Sequence, residues 1–338
     1  MTSLSEEEPL FWMGGRLAYD LQEISHDPAS LDGPGFWAVS ATFEGKWTCA
    51  RFGKIQESAL PESSRGWESI GRDWSTSMGD RAYIEYVKEI RKRISQGWVY
   101  QVNACRELSV DYSGGSLLPL MQQILRHNPA PFASYLRLPE VEIASASPEL
   151  FLKSENGILT SAPIKGTKSP EMDGHEFGNK DRAENVMIVD LIRNDLGRIC
   201  KTGTVHVPRL LETQTHPGLS HLVSYVQGAL LDGITWPEIS AALLPPGSVS
   251  GAPKSSAVQT INELEGAPRG PYCGPLGWVE NGEALLSLAI RIFWRKADDV
   301  LRFGTGAGIT WGSEPEAEWE ETELKARRLI GIANGEFA

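Results

Sequence analysis

Short runs of β-branched and aromatic residues recur in pairs across tight turns along this chain, and helical stretches interrupt them without a fixed period. No other feature of the sequence constrains the fold as strongly. A doubly wound parallel sheet requires regular alternation of strand and helix, and that alternation is missing. The pattern predicts a mixed α/β (α+β) fold rich in antiparallel hairpins. Phe36–Val39 and Trp47–Phe52 flank a turn at Glu44-Gly45. Further strands are predicted near 99–110, 132–138, 141–146, 149–153, 205–211, 221–231, 274–280, 284–296 and 300–303. Helices are predicted at 80–96, 116–127, 180–197, 254–264 and 315–332. In the first, Asp80 serves as N-cap, and Tyr83, Val87, Ile90 and Ile94 share a face. Residues 1–35 are hard to assign, 57–80 and 163–180 read as loops, and Gly304–Gly308 reads as a Gly-rich turn.

With 338 residues the chain is long enough to bury a core without a disulfide or structural metal. One unit over 1–338 is preferred to two domains, since 57–80 is the only boundary candidate. The net charge of −12 argues against a nucleic-acid binder working through a broad basic surface. An anionic substrate remains compatible if positive charge is focused locally. Cys49, Cys105, Cys200 and Cys273 have neither zinc-site nor CxxC spacing and read as buried thiols. The start of the chain is acidic where a signal peptide is basic, and nowhere do 18 apolar residues run together. The expectation is a cytoplasmic protein with no membrane span.

Two acidic pairs stand out. Asp181 and Glu184 lie three residues apart on one helix, and Glu318 and Glu321 do so on another, with Lys325 one turn further. Four carboxylates from distant segments could converge on one Mg²⁺, which takes oxygen ligands. Acids near helix N-termini also favour the dipole and often only face solvent. Gly304–Gly308 could offer backbone N–H groups to a carboxylate or phosphate. Lys254, at the start of a helix after Ser250-Gly251-Ala252-Pro253, would suit an anion, or the run is a simple turn. Lys165, between Pro163 and Gly166, could be an amine nucleophile or a surface lysine. Glu149 could be a general acid or a turn residue, and His221 a catalyst or a packed histidine.

These signals fall in one order: Ser147-Pro148-Glu149, PIKGT at 163–167, DRAENVMIVDLIRNDLGR at 181–198, HLVS at 221–224, SGAPK at 250–254, RGPYCGPLG at 269–277, GAGI at 306–309 and EPEAEWEETELKAR at 314–327. The run resembles the chorismate-utilising enzymes, which include anthranilate, aminodeoxychorismate, isochorismate and salicylate synthases. The resemblance covers about 80–330 as a catalytic core, with 1–79 resembling a shortened N-terminal portion. It implies two large, mostly antiparallel sheets packed face to face with helices outside.

It also implies roles. Glu184 and Glu321 would bind Mg²⁺ directly, with Asp181 and Glu318 holding metal-bound waters. Family members usually carry Glu at the position of Asp181. Gly306, Ala307 and Gly308, with Lys325 and Lys254, would clamp a carboxylate, and Gly166, Thr167 and Arg291 would also contact substrate. Glu149 would protonate the departing C4 hydroxyl, and His221 matches the family's active-site histidine. Water-using members carry a Lys base where this chain has Gln101, which implies ammonia as nucleophile. Lys165 stands where anthranilate and isochorismate synthases have Ala, and matches the aminodeoxychorismate synthases. The implied reaction is Mg²⁺-dependent amination of chorismate at C4 through a covalent Lys165 intermediate; the alternative is anthranilate formation. The chain has no GxCxG nucleophile elbow, so ammonia would come from solution or from a partner, and the resemblance implies a glutamine amidotransferase partner.

Overall fold

A computed structural model describes residues 8–71, 73–168, 177–216 and 219–337. Among these, 18 strands join by antiparallel pairing into one hydrogen-bonded ribbon. Numbered in chain order, one arm starts at β6 (Gln101–Asp111), with short β5 (Ser75–Thr76) and β14 (Gly251–Ala252) on its outer edge. The arm continues through β18 (Val300–Ile309), β17 (Ile292–Arg295), β8 (Glu142–Ser145) and β7 (Ser134–Arg137) to β1 (Leu10–Met13). A hairpin leads into β2 (Arg16–Ser25), and the second arm runs through β4 (Trp47–Glu57), β3 (Phe36–Ala41), β15 (Pro275–Glu280), β16 (Glu283–Leu288) and β9 (Leu150–Glu155). It ends on β10 (Ile158–Ala162), β13 (Leu219–Ala229) and β12 (His206–His216), with β11 (Ile164–Lys168) following β10 along β13.

Period-two alternation sets the layers. Phe11 and Met13 of β1 and Phe36 and Ala38 of β3 enter one cluster shared by both arms. Their neighbours Leu10 and Trp12 pack outward with α2 (Leu118–His127) and α6 (Pro315–Ala333). Trp37 and Val39 pack outward with α3 (Asn179–Gly197) and α4 (Trp236–Leu243). The two sheets implied by the sequence are therefore the two arms of one curled ribbon, face to face with helices outside. Tyr83, Tyr86, Val87 and Ile90 of α1 (Asp80–Ser95) and Ala257 and Ile261 of α5 (Lys254–Leu264) join the shared cluster. Each fully buried Phe or Leu contributes roughly 1.5–3 kcal/mol relative to exposure.

Several local expectations need correction. Residues 10–25 form the β1–β2 hairpin, whose Gly14 and Gly15 take φ of 59° and 87°, as a two-residue turn with positive φ at both positions requires. Gly79 caps α1, while Asp80 is its first helical residue and accepts from the Arg81 N–H at 2.7 Å. The stretch 284–296 is two strands, broken before Arg291, which adopts a φ of 55°. Gly304–Gly308 is not a turn but the second half of β18. Lys165 lies in β11 rather than a loop, and 169–176 fall outside the described residues. Helix α4 was not foreseen, although Thr235 and Glu238 form a capping box at its start. Among the described residues no helix is long and apolar enough to cross a membrane. All four cysteines are buried and unpaired with one another by disulfide.

Packing between β15 and β16 is close enough to test. A Cβ on Gly277 would lie 2.0 Å from the Leu285 carbonyl oxygen, which is backbone and cannot swing away. Gly277→Ala is expected to destabilise the fold by about 3 kcal/mol, read as a shift in the urea midpoint. An unchanged midpoint would contradict this packing.

Candidate active site

The site is built around an unpaired stretch of strand edge. β18 pairs with β6 along its whole length, but with β17 only as far as Phe303 opposite Phe293. Opposite Gly304, Gly306 and Gly308 stand Glu107, Cys105 and Asn103. Those three β6 residues turn their backbone groups away from β18. The Asn103 N–H donates to the Ser250 carbonyl, the Cys105 N–H to Glu265 Oε1, and the Glu107 carbonyl accepts from the Ser77 N–H. Residues facing each other in such antiparallel pairs turn their polar groups to opposite edges. The N–H and C=O groups of Gly306 and Gly308 therefore face the edge that β17 leaves open. Lys325 Nζ donates to the Gly306 carbonyl from that side at 3.0 Å. Gln101 lies over Gly308, since a Cβ there would sit 2.6 Å from Gln101 Nε2 and 3.9 Å from Glu184 Oε2.

The acidic helices meet beside this edge. Glu184 of α3 has its carboxyl pushed up by burial and by Glu318 and Glu321, with Lys165 and Lys180 opposing. Burial pushes Glu321 up too, but Lys325 at 2.6 Å, with help from Lys180 and Lys165, leaves it below the usual range. Lys180 Nζ stands 3.2 Å from Glu318 Oε1 and 3.9 Å from Glu184 Oε1. Glu184 Oε1 and Glu318 Oε2 are buried and, among the described residues, have no hydrogen-bond partner. Among the described residues no three potential ligands stand together at metal-holding distances. The donor chemistry nevertheless fits a hard divalent cation: oxygen-only, acid-rich and with two orphaned oxygens. Asp181 sits in the first turn of α3, with its Cβ 3.2 Å from where a Gly166 Cβ would be.

Lys165 faces this cluster because of a β-bulge. The β11–β13 register shifts between Lys165 and Thr167, at Gly166 with φ of 76°. A bulge of this kind re-aims a neighbouring side chain. Lys165 Nζ donates to the Ser248 carbonyl at 3.0 Å. Its charge acts on Glu149 and Glu184 and, more weakly, on Glu321, so the amine lies near both the buried acid and the acidic cluster. Glu149 is 5% exposed. Burial raises its carboxyl, and Lys165, the Ser248 hydroxyl, the Ile164 N–H and Arg291 only partly offset this. Such a carboxyl holds its proton above the ordinary range, as a general acid must. Arg291 is itself pushed down by burial, with Glu149 pulling it back up.

The other expected residues are placed as follows. His221 is buried in β13, opposite Thr167 and Gln214. The Thr167 side chain lies outside the described set. Lys254 Nζ is held by Asp195 at 2.6 Å and the Leu243 carbonyl at 3.3 Å, an internal ion pair rather than a contact to the glycine edge. Ala307 lies between the two edge-facing glycines, with its own backbone turned to β6. Sequence reasoning missed Lys180 and Ser248. The i,i+4 spacing of Lys180 to Glu184 was a usable signal. Nothing local marks Ser248, whose importance is purely tertiary.

Comparison with known proteins follows the same lines. A family described as chorismate binding enzyme matches residues 39–331. The anthranilate synthase component 1 of Saccharolobus solfataricus is 35% identical over 297 residues, covering 83% of this chain and 70% of that protein. The aminodeoxychorismate synthase component 1 of Salmonella typhimurium is 36% identical over 267 residues, or 76% of this chain and 58% of the relative. That of Escherichia coli is 35% identical over 272 residues, or 78% and 60%. The match thus spans less than two thirds of the length of these last two relatives. Among solved structures, anthranilate synthase component I of Streptococcus pneumoniae superposes with a TM-score of 0.78 at 24% identity, over 97% of this chain and 91% of the other. The menaquinone-specific isochorismate synthase of Escherichia coli gives 0.81 at 18% identity, over 97% and 89%. These two share the fold.

Proposed function

This chain belongs to the chorismate-binding enzyme family, and we propose that it replaces the C4 hydroxyl of chorismate with ammonia to give 4-amino-4-deoxychorismate, the precursor of 4-aminobenzoate. One observation carries the reading: the Lys165 amine acts on both Glu149 and the Glu184–Glu321 cluster, at a position where the resemblance has alanine in anthranilate and isochorismate synthases.

Glu184 and Glu321 would hold Mg²⁺, with Asp181 and Glu318 acting through waters. The ion would neutralise a substrate carboxylate and orient the ring. The amides of Gly306 and Gly308 and the Lys325 ammonium suit the second carboxylate. Lys165, once its ammonium has given one proton to solvent, bonds through Nζ to C2 as the C4–O bond breaks and the ring double bonds shift between them. Glu149 gives its proton, so the hydroxyl leaves as water. Ammonia then bonds to C4, the double bonds shift back, and the C2–Nζ bond breaks to free Lys165. The surplus proton on the new amine returns to Glu149. Two displacements put nitrogen at C4, where one would put it at C2. Holding the nucleophile beside the ring makes the first step effectively unimolecular. A glutamine amidotransferase subunit in the cytoplasm completes the reading as the source of ammonia.

A second reading, anthranilate formation, is favoured by the 35% identity to an anthranilate synthase component 1. Incubation with chorismate, Mg²⁺ and ammonium separates the two. The expected product is 4-amino-4-deoxychorismate without pyruvate release; direct appearance of fluorescent anthranilate would overturn the assignment.

A further inference from the structure

We infer that Ser248 is a positioning residue that ties the general acid to the nucleophile, an inference that rests on the roles proposed above for Glu149 and Lys165. Its hydroxyl donates to Glu149 Oε1 at 2.8 Å, and its own carbonyl accepts from Lys165 Nζ at 3.0 Å. One buried residue thus touches both groups that must act in the first displacement.

The chemistry of each contact is specific. A hydroxyl that donates to Oε1 holds the Glu149 carboxyl in one orientation beside Lys165. A carbonyl that accepts from Nζ at 3.0 Å holds the end of the Lys165 side chain in place and narrows the directions its nitrogen can present. Both effects preorganise the pair before the ring arrives.

Ser248 can do this because its segment is fixed from several sides. Arg269 Nη1 donates to the Val249 carbonyl at 2.7 Å, and the Asn103 N–H donates to the Ser250 carbonyl at 2.9 Å. Gly251 and Ala252 pair with Val102 and Gln101 of β6. On the other flank, Gly247 packs so tightly on α3 that a Cβ would lie 2.7 Å from Leu191 Cδ2 and 3.6 Å from Asp195 Oδ2. The charged groups facing Glu149 are Lys165 from β11 and Arg291 from the turn before β17, and Asp195 of α3 lines the same small cavity as Glu149.

The test compares Ser248→Ala and Ser248→Thr in the full chain with chorismate, Mg²⁺ and ammonium. For Ser248→Ala, kcat is expected to fall about tenfold to a hundredfold, with the chorismate KM within about twofold of wild type. Ser248→Thr keeps the hydroxyl and should restore most of the loss. A Ser248→Ala enzyme with wild-type kcat, a change confined to KM, or a folded Ser248→Thr enzyme without rescue would each overturn the inference. A second readout needs no turnover. The infrared carboxyl band of Glu149, assigned by its loss in Glu149→Gln, should shift in Ser248→Ala and stay in place in Ser248→Thr; a band that does not move in Ser248→Ala also overturns it. Should the wild type make anthranilate, the C4 reading falls, yet the kcat effect on that reaction and the infrared band still decide the role of Ser248.

Discussion

Lys165→Ala is expected to abolish formation of 4-amino-4-deoxychorismate, lowering turnover by at least about a thousandfold while chorismate still binds. The size of the effect follows from the two-displacement logic. Without an amine at 165 no C2–Nζ bond to the enzyme forms, so ammonia has no route to C4 that keeps the ring double bonds where chorismate has them. A single displacement by ammonia leads to C2. The residual product of the variant should therefore be the C2 amine, formed slowly, and mass spectrometry with ring-position analysis would identify it. In the wild type, quenching during turnover should leave the peptide containing Lys165 heavier by chorismate less water. A variant that aminates C4 at the wild-type rate would remove Lys165 from the mechanism. A wild-type peptide without the adduct, together with an inactive variant, would reduce its role to electrostatics on Glu149 and Glu184, which its position would also permit.

The paired carboxylates of α3 and α6 were legible in the sequence because helical spacing alone puts Asp181 beside Glu184 and Glu318 beside Glu321. The layer arrangement was legible for a similar reason, since alternation along Phe36, Trp37, Ala38 and Val39 assigns each residue to an inner or outer cluster. Residues whose roles depend on the meeting of distant segments were harder. Gly304–Gly308 has turn composition, yet it is strand, because β6 supplies a ten-residue partner and Lys325 a donor. Lys254 looked like an anion ligand at a helix start, and only the fold brings Asp195 against it. Lys165 read as a loop residue because the bulge at Gly166 is fixed by β13, more than fifty residues away. Ser248 carries no composition or spacing signal at all. Its two partners are 99 and 83 residues distant in sequence.

The acidic cluster carries the second large expected effect. Glu184→Gln should weaken divalent-cation binding at least about a hundredfold and lower kcat/KM for chorismate in parallel. The electrostatic reason is visible in the protein alone. Among the described residues two buried carboxylate oxygens, on Glu184 and Glu318, have no hydrogen-bond partner, and Glu318 and Glu321 act against the charge of Glu184 across the α3–α6 junction. Leaving such charges unpaired is costly, so the cluster must take up protons or a cation. Lys180 supplies part of that compensation, with its ammonium 3.2 Å from Glu318 and 3.9 Å from Glu184. A divalent ion carrying twice the charge would compete with that ammonium for the same oxygens. Lys180→Met should therefore tighten Mn²⁺ binding by about tenfold, in the direction opposite to Glu184→Gln. Calorimetry or Mn²⁺ electron paramagnetic resonance on the protein without chorismate reads both changes independently of catalysis. If Glu184→Gln bound the ion as tightly as wild type, the cluster would have to be understood as a Lys180-centred salt bridge, and the positive charge that holds chorismate would have to come from side chains such as Lys325 and Lys165.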